Sequence, residues 1–229
     1  MKTLNFFQMI FAGGPVMIPI LLCSILALAI VIEKIKYLST VRLNGLNLKT
    51  KILELVKHNK AKDAIAYCET HASPLANVLK AGILKTGQSR REIKEEMEEV
   101  SLLEIPFLQR RLPALATLSH TSVLLGLLGT VTGMISSFQT IQTQAVTLNA
   151  VTVADLAGGV WQALITTVAG LIVAIPAYVA YNYCINEINV IVLGMEKSAT
   201  ELLTILGQYA PGPMETNIIE EGLEEKSSL

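Results

Sequence analysis

The sequence predicts an all-α membrane protein with three transmembrane helices, N-terminus outside and C-terminus in the cytoplasm, carrying long cytoplasmic helical extensions. Three observations predict it. Hydrophobic residues make up 52% of the 229 and charged residues only 16%, with a mean hydropathy of +0.51, too apolar for an ordinary soluble domain. Three uncharged runs each exceed the roughly 20 residues that a bilayer core of about 30 Å requires of a helix. Finally, Lys and Arg are distributed unevenly between the segments that join those runs.

The first run spans Thr3–Ile32 and is most apolar from Val16 onward. It exceeds the length of a signal-peptide core, and Glu33-Lys34-Ile35-Lys36 follows it where a cleavage site would need small residues, so residues 1–32 are read as an N-terminal segment with a retained first span. Residues 33–111 hold 15 basic and 10 acidic side chains and form a cytoplasmic helical domain. Within it Ile52, Leu53, Leu55 and Val56, then Ala61, Ala64, Ile65 and Tyr67, repeat at helical spacing, punctuated by Pro74 and Gly87. Ser89-Arg90-Arg91-Glu92 matches a capping box, and the helix it opens is expected to run without a break through Pro106 and Pro113 into the second span.

That second span covers 112–138, a periplasmic loop 139–155, and the third span 156–186. The loop has neither Lys nor Arg, whereas Lys34, Lys36, Arg42, Arg110 and Arg111 crowd the ends of the 33–111 segment, which places that segment inside. Ile188, Val192, Met195, Ala199, Leu202 and Leu206 extend the helical period into a cytoplasmic helix over 187–209. Pro211 and Pro213 should end it, leaving a mobile acidic tail over 210–229.

Several function classes are disfavoured. The net charge of −1 provides no global field for nucleic acid. Cys23, Cys68 and Cys184 have no metal-ligand or disulfide spacing, so neither metal nor cofactor is expected. No nucleophile–base, paired-carboxylate or phosphate-loop pattern appears, so an enzyme is not expected. Transporters built on repeats would show paired broken helices, and no internal repeat is seen.

In lipid, helices associate through small residues that let backbones approach. The second span carries Ser119, Gly126, Thr130, Gly133 and Ser137 on one face, and the third carries Ala163, Thr167, Gly170, Ala174 and Ala177. Such stripes are by default packing seams, and a transmembrane Thr usually bonds its own backbone one turn back. Pro176 adds a second feature, because it removes a helical N–H and leaves the Ile172 carbonyl short of a donor; a hinge and a fixed bend both follow from that. Neither span contains Asp, Glu, Lys or Arg, so this chain supplies no ionisable membrane group for a proton relay. His120 lies near one end of the second span and reads as a packing residue, and Asp155 as a charge suited to a helix N-terminus.

Two stretches resemble the MotA/TolQ/ExbB proton-channel family. They are Leu125-Gly126-Leu127-Leu128-Gly129-Thr130-Val131-Thr132-Gly133-Met134 with Ser137-Phe138, and Gly159-Val160-Trp161-Gln162-Ala163-Leu164-Ile165-Thr166-Thr167-Val168-Ala169-Gly170-Leu171 followed by Val173-Ala174-Ile175-Pro176-Ala177. Three spans, not four, make the chain most similar to the ExbB and TolQ branch. The resemblance implies a homopentamer in the bacterial inner membrane. It would surround single-span ExbD- or TolR-like partners whose Asp carries protons, and work would pass to a TonB- or TolA-like protein. By motif position, Thr130 and Thr167 would line the proton path and Pro176 would shape the helix beside it. Gly126, Gly129, Gly133, Ala163, Gly170 and Ala174 would serve helix packing and pore lining. Many members have Glu where this chain has Gln162. The alternative reading is a structural scaffold without ion conduction.

Overall fold

A computed structural model describes residues 13–71, 73–146 and 153–209. These form six helices and, among the described residues, no strands: α1 Met17–Lys57, α2 Ala61–Thr70, α3 Pro74–Leu84, α4 Arg90–Gln109, α5 Leu112–Val146 and α6 Val153–Tyr209. Residues 1–12 of the expected first span, 147–152 of the expected loop and the tail from residue 210, with Pro211 and Pro213, lie outside the described residues.

Three helices are long and apolar enough to cross a membrane. At about 1.5 Å per residue the 41 residues of α1, 35 of α5 and 57 of α6 reach roughly 60, 50 and 85 Å, so each overruns a hydrocarbon core of about 30 Å. The protein is thus an all-helical, multi-pass membrane protein. The described residues pack as two units, one within 13–38 and 109–187, the other within 39–108 and 188–209, and α1 and α6 contribute to both.

The apolar unit holds the described part of all three uncharged runs. Leu22, Ile25 and Leu28 on α1, Leu124, Leu127 and Phe138 on α5, and Leu164, Ile172 and Ile175 on α6 are all exposed. In water such a surface would cost roughly 25 cal/mol per Å2. In lipid it is the favoured outer face. Just past the ends of the first and third runs sit two buried charges, Lys34 at 4% exposure and Glu187 at 9%. Desolvation lowers the Lys34 pKa, opposed by the neighbouring Glu33 carboxylate. Glu33 also pairs with Arg111.

The charged unit is built on the amphipathic pattern seen in the sequence. Leu48, Ile52 and Val56 of α1 meet Ala64 and Cys68 of α2, Leu75 to Ile83 of α3, Ile93 and Met97 of α4, and Met195, Leu202 and Leu206 of α6. Asn59, in the left-handed region at φ 58, turns the chain between α1 and α2. Ser73 caps α3 by accepting from the Ala76 N–H at 3.2 Å, with Pro74 in the first turn where a missing N–H costs nothing. Gly87, at φ 97, supplies the turn before α4. The Ser89–Glu92 capping box forms in both directions: the Ser89 N–H donates to the Glu92 carboxylate at 3.1 Å, and the Glu92 N–H to the Ser89 hydroxyl at 3.3 Å. The Lys49 ammonium donates to Glu201 at 2.8 Å and ties α1 to α6.

Two expectations change. The helix opened by Ser89 does not run unbroken into the second span, because α4 ends at Gln109 and α5 starts at Leu112. Pro113 marks the restart: it has no N–H for the Gln109 carbonyl, the last of α4, and sits in the first turn of α5, where none is needed. Pro106 stays inside α4, and the interruption falls at Arg110-Arg111, where Arg111 takes φ 69 and its carbonyl accepts the Leu115 N–H at 3.1 Å. The expected loop is also shorter than 139–155. Helix α5 continues through 139–146, with the Thr140 and Thr143 hydroxyls bonding back to the Ser136 and Gln139 carbonyls, and α6 already contains 153–155. Asp155 falls in that first turn, its side chain outside the described residues.

Candidate functional site

The functional candidates converge on the seam where α5 and α6 run antiparallel within the apolar unit. On α5 the seam side is Ser119, Ser122, Gly126, Gly129, Gly133 and Ser137, all buried and spaced three or four residues apart. On α6 it includes Ala163, Thr166, Gly170, Ala174 and Ala177, again all buried. Glycine is required because the backbones touch. A Cβ on Gly133 would lie 2.7 Å from the Gly159 carbonyl oxygen, and one on Gly170 would lie 2.5 Å from that of Ser122. A hydrogen bond from the Ser137 hydroxyl to the Leu156 carbonyl, 3.2 Å, closes the far end.

Thr130 and Thr167 occupy the edge of this seam, each half-buried. The Thr167 hydroxyl lies 3.2 Å from the Ala163 carbonyl on its own helix and 3.2 Å from the Gly126 carbonyl across the seam, so one proton is shared between two acceptors. Thr130, one turn beyond Gly126 on α5, donates to the Leu127 carbonyl at 2.6 Å. Both protons are therefore directed at backbone, while the oxygen lone pairs remain able to accept. A carboxylic acid brought to this edge can donate to either hydroxyl as it stands. A carboxylate can receive a hydrogen bond only after the hydroxyl leaves its carbonyl.

The seam glycines and alanines, Gly126, Gly129, Gly133, Ala163, Gly170 and Ala174, are buried between two helices of one chain. Their geometry is that of packing. Pro176 lies exposed inside α6 on a different face from Ala174 and Ala177. His120 is exposed with its ring 6.1 Å from that of Tyr178, an aromatic contact.

Three features escaped sequence reasoning. Thr166, at 0% exposure, is the more deeply buried of the threonine pair and donates to the Ala163 carbonyl at 2.8 Å. Its spacing from Ala163 and Gly170, three and four, was the available signal. The Gln162 amide donates to the Gly13 carbonyl at 3.4 Å, a long bond that an ionised Glu could not make. Lys34 and Glu187 are buried although each sits in a polar stretch, and nothing in the sequence marked them.

Among the described residues no group of His, Cys, Asp or Glu could hold a metal ion. Among the described residues, the spans bring a seam of small and hydroxyl-bearing side chains and no carboxylate, the composition of a membrane protein that offers hydrogen bonds at its helix seam. The sequence model of the MotA/TolQ/ExbB proton channel family matches residues 70–197, more than half of the chain and the whole of the seam. A putative biopolymer transport protein ExbB-like 3 from Synechocystis is 33% identical over 172 residues, 75% of this chain and 80% of the relative. A putative biopolymer transport protein ExbB homolog from Methanothermobacter thermautotrophicus is 29% identical over 82% of this chain and 67% of its own length. The Tol-Pal system protein TolQ of Haemophilus influenzae is 37% identical over 124 residues, 52% of each chain. The chain belongs to the MotA/TolQ/ExbB proton channel family.

Proposed function

We propose that this chain is the channel subunit of an inner-membrane motor of the ExbB–ExbD or TolQ–TolR type, using proton-motive force to drive a TonB- or Tol-like process at a bacterial outer membrane. The observation that carries the reading is the seam edge. Two half-buried hydroxyls, Thr130 on α5 and Thr167 on α6, stand there in spans that hold no carboxylate among the described residues. Such an edge can accept from a proton-carrying acid as it stands and donate to its carboxylate once a hydroxyl turns from its carbonyl, but a hydroxyl cannot itself hold the proton. The acid then belongs to a single-span partner, around which five copies of this chain assemble, and Pro176 shapes α6 beside the path.

The subunit is not an enzyme in this reading. It lies N-out and C-in, with the charged unit in the cytoplasm. The test is the mass of the detergent-extracted complex, first from the chain alone and then with a co-expressed ExbD- or TolR-like protein. A pentamer that captures the single-span protein is expected. A monomer that captures nothing leaves no pore and removes the proposal.

The scaffold reading draws on the same seam, since its glycines are consumed by packing within one chain and each Thr proton goes to backbone. It predicts an assembled complex that conducts no protons after reconstitution.

A further inference from the structure

One contact of the apolar unit has no role in the channel reading. Gly13-Gly14-Pro15-Val16 leads into α1 as a turn, closed by the Met17 N–H donating to the Gly14 carbonyl at 3.1 Å and the Ile18 N–H to that of Pro15 at 3.3 Å. This turn is seated on α6. Gly13 is buried, its carbonyl accepts from the Gln162 carboxamide at 3.4 Å, and a Cβ on it would lie 3.3 Å from the Thr166 methyl. Gly14 takes φ 68, and a Cβ there would overlap the Gln162 carboxamide nitrogen, so backbone conformation and close approach both call for glycine. Met17 and Ile20, in the first turn of α1, are buried at 5% and 1% exposure. Thr166 also meets α5, where a Cβ on Gly129 would overlap its hydroxyl.

Helical geometry links this contact to the seam edge. At about 100° per residue, Gln162 and Thr167 stand about 140° apart around α6, with Ala163, Gly170 and Thr166 between them. The turn therefore holds one flank of α6 and Thr167 occupies the other, so any rotation of α6 about its axis moves both. At a side-chain radius of about 5–6 Å, a rotation of roughly 10° displaces each by about 1 Å. That is enough to break a bond already at 3.4 Å and to lift the Thr167 hydroxyl from the Gly126 carbonyl, 3.2 Å away.

We infer that Gln162 is a positioning residue for the seam edge: its carboxamide braces α6 on the Gly13–Gly14 turn and so sets the rotation at which Thr167 meets a proton-carrying acid. The inference rests on the channel reading for what Thr167 does, whereas the brace itself is a matter of packing. A neutral carboxamide suits the role. It donates to a carbonyl at any pH, and among the described residues of the three spans no carboxylate, amine or guanidinium competes for it. His120 lies against Tyr178, 16 residues further along α6, and Asp155, seven residues before Gln162, has its side chain outside the described residues.

The test uses the full chain with a co-expressed ExbD- or TolR-like protein and takes two readings: amide exchange at Met17 and Ile18 in detergent, and proton flux in vesicles under a constant imposed pH gradient. Gln162→Leu keeps most of the bulk and removes the donor. Losing one hydrogen bond between membrane segments should speed exchange at Met17 and Ile18 by roughly three- to twentyfold. Misplacing the edge by about 1 Å should cut flux at least about tenfold, with the mass of the complex unchanged. Gln162→Glu separates positioning from packing, because the protonated acid can donate to the Gly13 carbonyl and the carboxylate cannot. Its flux relative to the unmodified complex should fall as pH rises, while the same ratio for Gln162→Leu stays flat. Unchanged exchange in Gln162→Leu overturns the brace. Faster exchange with full flux overturns the link to Thr167, and so does a flat ratio for Gln162→Glu. If Gln162→Leu does not assemble, Gly14→Ala, which displaces the carboxamide from the other side, decides by the same two readings. An unmodified complex that conducts nothing is the failure of the channel reading and takes the positioning role with it, while exchange at Met17 and Ile18 still decides the brace.

Discussion

The two adjacent threonines of α6 separate a structural hydroxyl from a functional one. Thr166 is fully buried and bonds only carbonyls of its own helix, at 2.8 and 3.2 Å, so Thr166→Val exchanges one isosteric side chain for another and removes no bond across the seam. Thr167→Val removes the bond to the Gly126 carbonyl, the one that crosses to α5. Hydrogen bonds between membrane helices average about 0.6 kcal/mol and reach about 1.7, so the stability loss should be of that size, too small to dissociate an assembly. If the seam edge serves a proton carrier, Thr167→Val should cut proton flux through the reconstituted complex by about a hundredfold or more, beyond anything the lost stability explains, since 1.7 kcal/mol corresponds to roughly 20-fold. Thr166→Val should keep at least half the flux, and Thr167→Ser should restore most of what the valine loses. Steady-state flux in vesicles with an imposed pH gradient reads all three. Equal loss in Thr166→Val and Thr167→Val, or loss that tracks melting temperature, would refute the assignment and return both residues to packing.

Other perturbations test the framework. Gly170→Val places bulk against the Ser122 carbonyl, where even a Cβ would sit 2.5 Å away, so the extracted protein should melt well below wild type, with an overpacking cost of about 1–3 kcal/mol; unchanged melting would mean that the backbones do not touch there. Ser89→Ala removes the α4 cap and should cost about 1 kcal/mol, seen as faster amide exchange over the first turn of that helix. Burial raises the Cys68 thiol from 9.0 to about 11, so at pH 8 only about one molecule in a thousand is thiolate and iodoacetamide should label it far more slowly than a free thiol, with the rate climbing as pH approaches 11. Rapid labelling at pH 8 in the folded protein would contradict the packing of α2.

Much of the fold was legible because lipid imposes coarse rules. A run such as Leu156–Asn186 without one charge leaves few readings, and the amphipathic repeat from Ile52 to Tyr67 marked the core of the charged unit. The capping box at Ser89 was equally plain, since both bonds follow from residue type and spacing. The break at Arg110-Arg111 was not. Pro106 is accommodated inside α4 and Pro113 opens α5, but the turn between them uses a left-handed Arg111, a residue with no intrinsic preference for that conformation. The loop boundary failed for a related reason: Gln139–Gln144 is polar but helix-competent, and its threonines bond their own helix. At the site, stripes of small residues located the seam, but composition could not say whether they face a neighbouring helix or a pore. Backbone contact between Gly133 and Gly159 puts these glycines against the neighbouring helix of the same chain, with Thr130 and Thr167 half-buried at the edge of the seam.

The central claim is that this chain frames a proton path without carrying the proton. The direct measurement is proton flux in vesicles holding the purified chain alone, the chain with an ExbD- or TolR-like single-span partner, and the chain with that partner's membrane Asp changed to Asn. Flux only in the second preparation is the predicted result. Flux from the chain alone would contradict it, because the described spans offer no carboxylate to sustain a relay.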